Sequence, residues 1–470
     1  MRSIAGFMAR TMGLPRLSWI AAGAAGVLVG VAFTLSPTSV WFGLVMLAVL
    51  AWAQRGLGPR ERRWVVGLLG AALVTRLAAL AAVFVLADHS RDPFAVLFID
   101  ERLMISRSMW LLNVALGNEL APDDRIGWYG NYGRSGLQDI LAYWQLWFGP
   151  APHGARLISV AMWLAGAVIL HRTARRSFGP LPALGAFAVV LFMPTLFVWS
   201  VSVLKEAPMF FLTAVAIGSA MALARAPRWS ERVVGVILLI VAVAVISSIR
   251  KTALFVTLGG LSFAAVGCTV TRRAWVCAVA LVLAVGVGSW AVRQPAAQDL
   301  IMRQLRSAAI YHVVNVSVEG YSYKVLDEEY YDPNYNHGRD FSNLTPEQAA
   351  RFVVRGFVHF LTAPLPWTAI SRSALAFLPQ QMAWYILVML AAVGAAAGFR
   401  RDRAFTWLLL GNALVGSVTI ALFGGNEGTF VRIRDSVVVV IVWLSALGGS
   451  VMLEWYVRRF SRGAQHAHSR

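Results

Sequence analysis

Residues 64–104 read WVVGLLGAALVTRLAALAAVFVLADHSRDPFAVLFIDERLM. Two regimes meet in this stretch. Positions 64–87 carry one charge, Arg76, in an otherwise apolar run long enough to cross a hydrocarbon core of about 30 Å. Four carboxylates then follow in quick succession: Asp88, Asp92, Asp100 and Glu101. The first regime is a membrane-spanning helix. The second is a polar segment at one of its ends, and it needs a reason to be acidic.

The rest of the chain repeats the first regime. Of 470 residues, 58% are hydrophobic, and the mean hydropathy is +0.64. Soluble domains average roughly 45–50% apolar. Strands of alternating polarity, the mark of a membrane β-barrel, do not appear. The expected fold is therefore an all-α polytopic membrane protein. About 12 spans are expected, near 17–35, 39–53, 64–87, 155–171, 180–199, 207–224, 233–249, 253–270, 274–292, 380–398, 404–423 and 436–456.

The net charge of +19 would point to nucleic acid in a soluble protein. Its distribution points elsewhere. Basic residues cluster between apolar runs, at 54–63, 172–177, 225–232, 271–273, 400–403 and 458–462. Such clusters mark cytoplasmic loops and contacts with lipid headgroups, so no nucleic-acid partner is expected. Placing them inside puts both termini in the cytoplasm and leaves two large outer segments, 88–154 and 293–379. Weaker apolar stretches at 137–148 and 352–365 would break the parity as spans, and are expected as interfacial or re-entrant helices. The basic first 16 residues and the run after them lack a cleavage-site pattern, so 17–35 reads as a retained anchor. Of the 23 acids, only Glu61, Glu231, Asp402 and Glu454 fall on the inner side. An outward-facing polar site would explain that asymmetry, and so would long loops that hold most of the polar residues.

Within FIDERLMISRSMW (98–110), Asp100 suits the N-cap of a helix starting near Glu101. Leu103, Met104, Met109, Trp110 and Leu111 give that helix an apolar face for the membrane surface. The chain has 42 Lys and Arg, of which only Lys205, Lys251 and Lys324 are Lys, all on the outer side. Short outer turns add further charge: Lys205 and Glu206, Arg250 and Lys251, and Arg432, Arg434 and Asp435. If the spans pack as a bundle, these turns converge on the first loop and offer cations to a phosphate. The plainer reading has them snorkel and pair with Glu206 and Asp435. Arg76, mid-span, costs at least about 2.5–3.5 kcal/mol unless it meets a partner or a cavity. It reads as a site organiser or as half of a structural ion pair. No Asp-x-Asp and no ligand-spaced His/Cys set appears, so neither metal nor cofactor is expected.

The pair at 100–101, the amphipathic helix ending in Gly117, and LQDILAYWQLWFGPAPHGARLISVAMWLAGAVILHRTARRSFG (137–179) together resemble the GT-C superfamily of membrane glycosyltransferases. The protein O-mannosyltransferase and aminoarabinose transferase relatives are the nearest pattern, with Met104 standing where their motif has Tyr. The resemblance covers 88–210. It implies a GT-C-like core over 64–292, preceded by two extra helices in 1–63. A second outer segment would fill 293–379 and C-terminal spans 380–470. It further implies an inverting transfer of sugar from a polyprenyl-phosphate carrier to a hydroxyl of a lipid, glycan or protein, at the outer face of the inner membrane. In that reading Asp100, then Glu101, is the general base, with Asp88 and Asp92 in reserve. Lys205, Glu206, Arg250, Lys251, Arg432, Arg434 and Arg76 serve the substrate. Two other readings remain open. An O-antigen-type polymerase or ligase with a lipid-pyrophosphate donor would rely on Arg303, Arg306 and His312. A transporter of lipid-linked sugar would show broken helices and midplane acids.

Overall fold

A computed structural model describes residues 37–118, 133–271, 273–316, 322–332, 341–365, 372–425 and 427–468. The expected first span, 17–35, lies outside them. The described residues form sixteen α-helices and one 3-10 turn: α1 (Pro37–Ala53), α2 (Pro59–Leu86), α3 (Ile99–Ala115), α4 (Gly136–Phe148), α5 (Ala155–Phe178), α6 (Pro180–Phe192), α7 (Pro194–Ser200), α8 (Glu206–Arg225), α9 (Trp229–Ile249), α10 (Lys251–Val270), α11 (Ala274–Arg293), α12 (Pro295–Asn315), the turn Glu328–Tyr331, α13 (Pro346–Thr362), α14 (Arg372–Arg401), α15 (Arg403–Phe423) and α16 (Glu427–His468).

Eight of these helices are long and apolar enough to cross a membrane, or nine if the bent pair α6–α7 is one span. The expectation was twelve. α1 matches its expected position but has only 17 residues, and α11 is one continuous helix where 274–292 was expected. The expected span 180–199 is broken, with α6 and α7 meeting at 64°.

Pro194 causes that break and sets what must repair it. Lacking an N–H, it cannot bond Val190 O, and its ring crowds the preceding turn. The indole N–H of Trp163 donates to Val190 O instead, at 3.2 Å. Arg76 supplies the next repair. Its Nη2 donates to Leu191 O at 2.9 Å, its Nε to Ser200 Oγ at 2.8 Å, and its guanidinium lies 4.9 Å from the Phe197 ring centre. Arg76 is fully buried, and no acid pairs with it among the described residues. It holds a broken helix together rather than forming an ion pair.

The bundle is centred on α5, α6, α8, α14, α15 and α16, with α10 packed on α15 and α9 on α8. Small residues let α14 and α16 touch backbone to backbone. A Cβ on Gly394 would overlap the Leu444 carbonyl, and one on Gly448 the Leu390 carbonyl. Outside the bundle, α3 and α4 pack on each other, and Trp147, Tyr143 and Ile99 stay exposed on that pair.

The two ends of the bundle differ in chemistry. At one end Arg175 pairs with Glu61, Arg225 with Asp402, Arg172 donates to the carbonyls of Trp52 and Arg55, and Arg401 to that of Phe178. The basic clusters at 54–63, 172–177, 225–232 and 400–403 therefore gather at a single end. At the other end lie the starts of α5, α8, α10 and α16, and with them α3.

Candidate functional site

The first loop is bolted to the bundle by Glu101. Its Oε1 accepts from Arg156 Nε at 2.9 Å and from the Val203 N–H at 2.9 Å. Its Oε2 accepts from the Leu97 N–H at 2.8 Å. Arg156 also donates to Ala95 O at 2.8 Å, holding Ala95 in a left-handed conformation, φ 50°. Glu101 has no exposed surface. Glu101, the second choice for the base, is thus a sealed carboxylate that accepts three hydrogen bonds, an arrangement that anchors the loop. Asp100 does not cap its helix as expected: α3 begins at Ile99, two residues earlier, with Phe98 at the N-cap position. Both acids lie in the first turn, where the helix dipole favours negative charge.

One residue back along the helix, Asp100 faces the other way. Its side chain is 49% exposed, and its Oδ2 accepts from Arg432 Nη1 at 2.6 Å. Arg432 in turn lies 3.4 Å from Glu206 Oε1, and Glu206 lies 3.6 Å from Arg250. The four residues form a chain of alternating charge across α3, α16, α8 and the α9–α10 corner. Glu206 Oε1 and Arg432 Nε have ion-pair neighbours but no hydrogen-bond partner. Buried polar groups left in that state cost energy until a ligand or water completes them.

The corner that presents Arg250 is itself strapped down. Arg250 is extended, φ −154° and ψ 108°, between two helices. Gly133 exchanges backbone hydrogen bonds with it: Gly133 N–H to Ser248 O at 3.1 Å and Lys251 N–H to Gly133 O at 3.3 Å. Gly133 has φ +86°, and a Cβ there would meet the Lys251 side chain, so both conformation and space call for glycine. Lys205 Nζ closes the strap, donating to Arg134 O at 2.6 Å and Ile249 O at 3.2 Å. Burial, then the neighbouring Arg250, pushes the Lys205 ammonium down to about 8.

Below this mouth a cavity of about 280 Å³ runs into the bundle between α8, α10, α15 and α16. Arg250, Arg432 and Glu206 line its entrance, and Phe210, Val256 and Val440 its apolar wall. Arg432 and Val440 are eight residues apart on α16, so the cavity reaches about 12 Å inward. Asp435 is also part of its lining. This acid accepts from Trp199 Nε1 at 2.7 Å and from Gln380 Nε2 at 3.1 Å. In the sequence Asp435 reads only as a neighbour for the arginines. Nothing local in RIRD tells that it turns to Trp199, 236 residues away.

The remaining candidates lie elsewhere. Arg434 is buried away from the mouth, donating to Ala363 O and Gln381 Oε1 between Trp384 and Phe430. Lys251 is exposed beside Gly133. Asp88 is an exposed loop acid, held below the usual carboxylate range by the Ser90 hydroxyl and backbone N–H. Arg76 braces the α6–α7 break. His312, fully buried on α12, has Nδ1 on Gly424 O and Nε2 on the Tyr331 hydroxyl at 2.8 Å. Burial lowers it to about 4.

Among the described residues, no three His, Cys, Asp or Glu side chains gather as a metal site. No family model, curated protein or solved structure matches this chain.

Proposed function

We propose that the protein is an inverting, GT-C-like glycosyltransferase that takes a sugar from a polyprenyl-phosphate carrier at this mouth. One observation carries the reading. The two guanidiniums of Arg250 and Arg432 stand at the entrance of a narrow apolar cavity, with a half-exposed carboxylate, Asp100, bonded to one of them. A phosphate can take guanidinium donors that Glu206 and Asp100 leave unused, and an apolar chain fits the wall below. An amphiphile with one anionic head satisfies both.

The chemistry follows from the same contacts. The donor phosphate competes with Asp100 for Arg432, so its arrival frees the Asp100 carboxylate. Asp100 then takes the proton of the acceptor hydroxyl as that oxygen bonds to the anomeric carbon. The bond from the anomeric carbon to the phosphate oxygen breaks, and Arg250 and Arg432 hold the departing polyprenyl phosphate. One base and one stabilised leaving group are what a single inverting displacement needs. Glu206 keeps the two guanidiniums in register.

The polymerase reading is weaker at its histidine, because His312 has both ring nitrogens engaged within the fold. The transporter reading keeps two observations in its favour, the broken span α6–α7 and the buried Asp435.

The deciding experiment reconstitutes purified protein in sealed lipid vesicles and supplies polyprenyl-phosphate sugars labelled in the sugar. Label appearing on an acceptor, with release of free polyprenyl phosphate, supports the transferase. Intact labelled donor that crosses a sealed vesicle membrane without being cleaved supports the transporter and overturns the transferase.

A further inference from the structure

At the arginine-rich end, opposite the mouth, the structure has a second cavity. It is an open groove between the last turns of α10 and α14 and the first turn of α15, with a volume of about 790 Å³. Arg400, Arg401 and Arg403 form its rim, and Phe399 and Trp407 its wall. We propose that this cavity holds the phosphate of an anionic phospholipid, a site independent of the transferase reading.

The rim charges are not neutralised from within. The one acid among them, Asp402, is already taken: it pairs with Arg225 from α8 and accepts from the Phe405 N–H at 3.0 Å as the cap of α15. Arg401 and Arg403 each give an N–H to a carbonyl, of Phe178 at 2.7 Å and Thr271 at 3.2 Å. Those bonds fix the two guanidiniums while leaving each further donors, since a guanidinium has five. Arg400 is exposed beside them. Three guanidiniums in four residues, with their acid diverted, make a preset anion rim.

The wall says which anion. Trp407 is held by its indole N–H on Thr271 Oγ1 at 3.2 Å, and its ring packs on Phe399 at 4.8 Å and Phe263 at 5.5 Å. Aromatic rings at the end of apolar helices sit at headgroup depth. From the rim the apolar surface runs inward along α10 past Val266, 60% exposed, to Phe263, 38% exposed, so acyl chains have a face to follow. A soluble phosphate would use the rim alone. A phospholipid uses rim, rings and face together, and basic pockets between helix ends bind such headgroups in other membrane proteins.

The test uses full-length protein stripped of lipid in a neutral detergent, followed by native mass spectrometry. Phosphatidylglycerol, phosphatidylcholine and glycerol 3-phosphate are the probes. The variants are Arg400→Gln, the pair Arg400→Gln/Arg403→Gln, and a control pair at the same end, Arg60→Gln/Arg62→Gln, which removes the same charge. We expect one phosphatidylglycerol retained at least tenfold over phosphatidylcholine. Retention should fall tenfold in the Arg400/Arg403 pair, fall partly in Arg400→Gln, and stay unchanged in the control pair. Equal loss in the control pair, or no preference between lipids, overturns the site. Glycerol 3-phosphate that displaces the lipid at equal concentration overturns the lipid as occupant.

Discussion

Arg432 and Asp100 are 332 residues apart in the chain and 2.6 Å apart in the fold. This contact joins the 88–154 segment directly to α16, and it lies at the entrance of the cavity. In the proposed mechanism Arg432 has two tasks, to hold Asp100 before substrate arrives and to hold a phosphate afterwards. A lysine keeps the charge but not the fork that can serve two oxygens. Arg432→Lys should bind a soluble short-chain polyprenyl phosphate about tenfold more weakly than the parent, and Arg432→Gln about a hundredfold. Each reads out as the midpoint of a fluorescence titration in detergent.

Glu101→Gln should fail in a different way. Removing one side of a buried pair leaves Arg156 charged and uncompensated, at about 3–5 kcal/mol. The expected result is a sharp drop in thermal midpoint and in recovered protein, whatever the substrate. Replacing both partners with Met should restore part of the loss, since apolar isosteres of a buried pair are tolerated. Glu101→Gln protein with a normal midpoint and no activity would return this residue to the chemistry.

Much of the site was legible in the sequence because charges at span ends are few and have to lie on one surface. Lys205, Glu206, Arg250, Arg432 and Asp100 could be collected that way. Neighbours in a helix could not be told apart. Asp100 and Glu101 differ by about 100° around α3, and Arg432 and Arg434 by about 200° around α16. Which of each pair meets the cavity depends on how the helix rolls against its neighbours, and neither helix has an apolar face strong enough to fix that. The span count was legible in outline only. Pro194 could be seen, but its effect on the path of 180–199 depends on Trp163 and Arg76 being in place to accept the broken turn.

Arg76 tests that dependence. Arg76→Met strips donors from Leu191 O and Ser200 Oγ inside the bundle. Each orphaned group costs about 1–3 kcal/mol. The variant should unfold earlier on heating, and Arg76→Lys, which can reach only part of the set, should fall between. An unchanged midpoint in Arg76→Met would show that the bend stands without it.

Lys205 predicts a pH dependence. Its ammonium is lowered to about 8 by burial and by Arg250, with Arg107 and Arg134 adding to the effect and Glu206 opposing it. An anion bound at the mouth favours the protonated form, so the bound-state value is higher than the free-state one. Affinity for a phosphate ligand should hold below pH 8 and decline as pH rises through it. Lys205→Met should bind more weakly at pH 7 and lose that slope. A slope that survives in Lys205→Met would assign the titration to another group.

The central claim is that Asp100 removes the acceptor proton while Arg250 and Arg432 hold the leaving phosphate. The direct measurement is sugar transfer in membranes carrying matched amounts of the parent, Asp100→Asn and Arg306→Ala. Asp100→Asn should fall by about 10²–10⁴ with donor binding retained, and Arg306→Ala should stay near the parent. Parental transfer in Asp100→Asn, with loss in Arg306→Ala, would contradict the account.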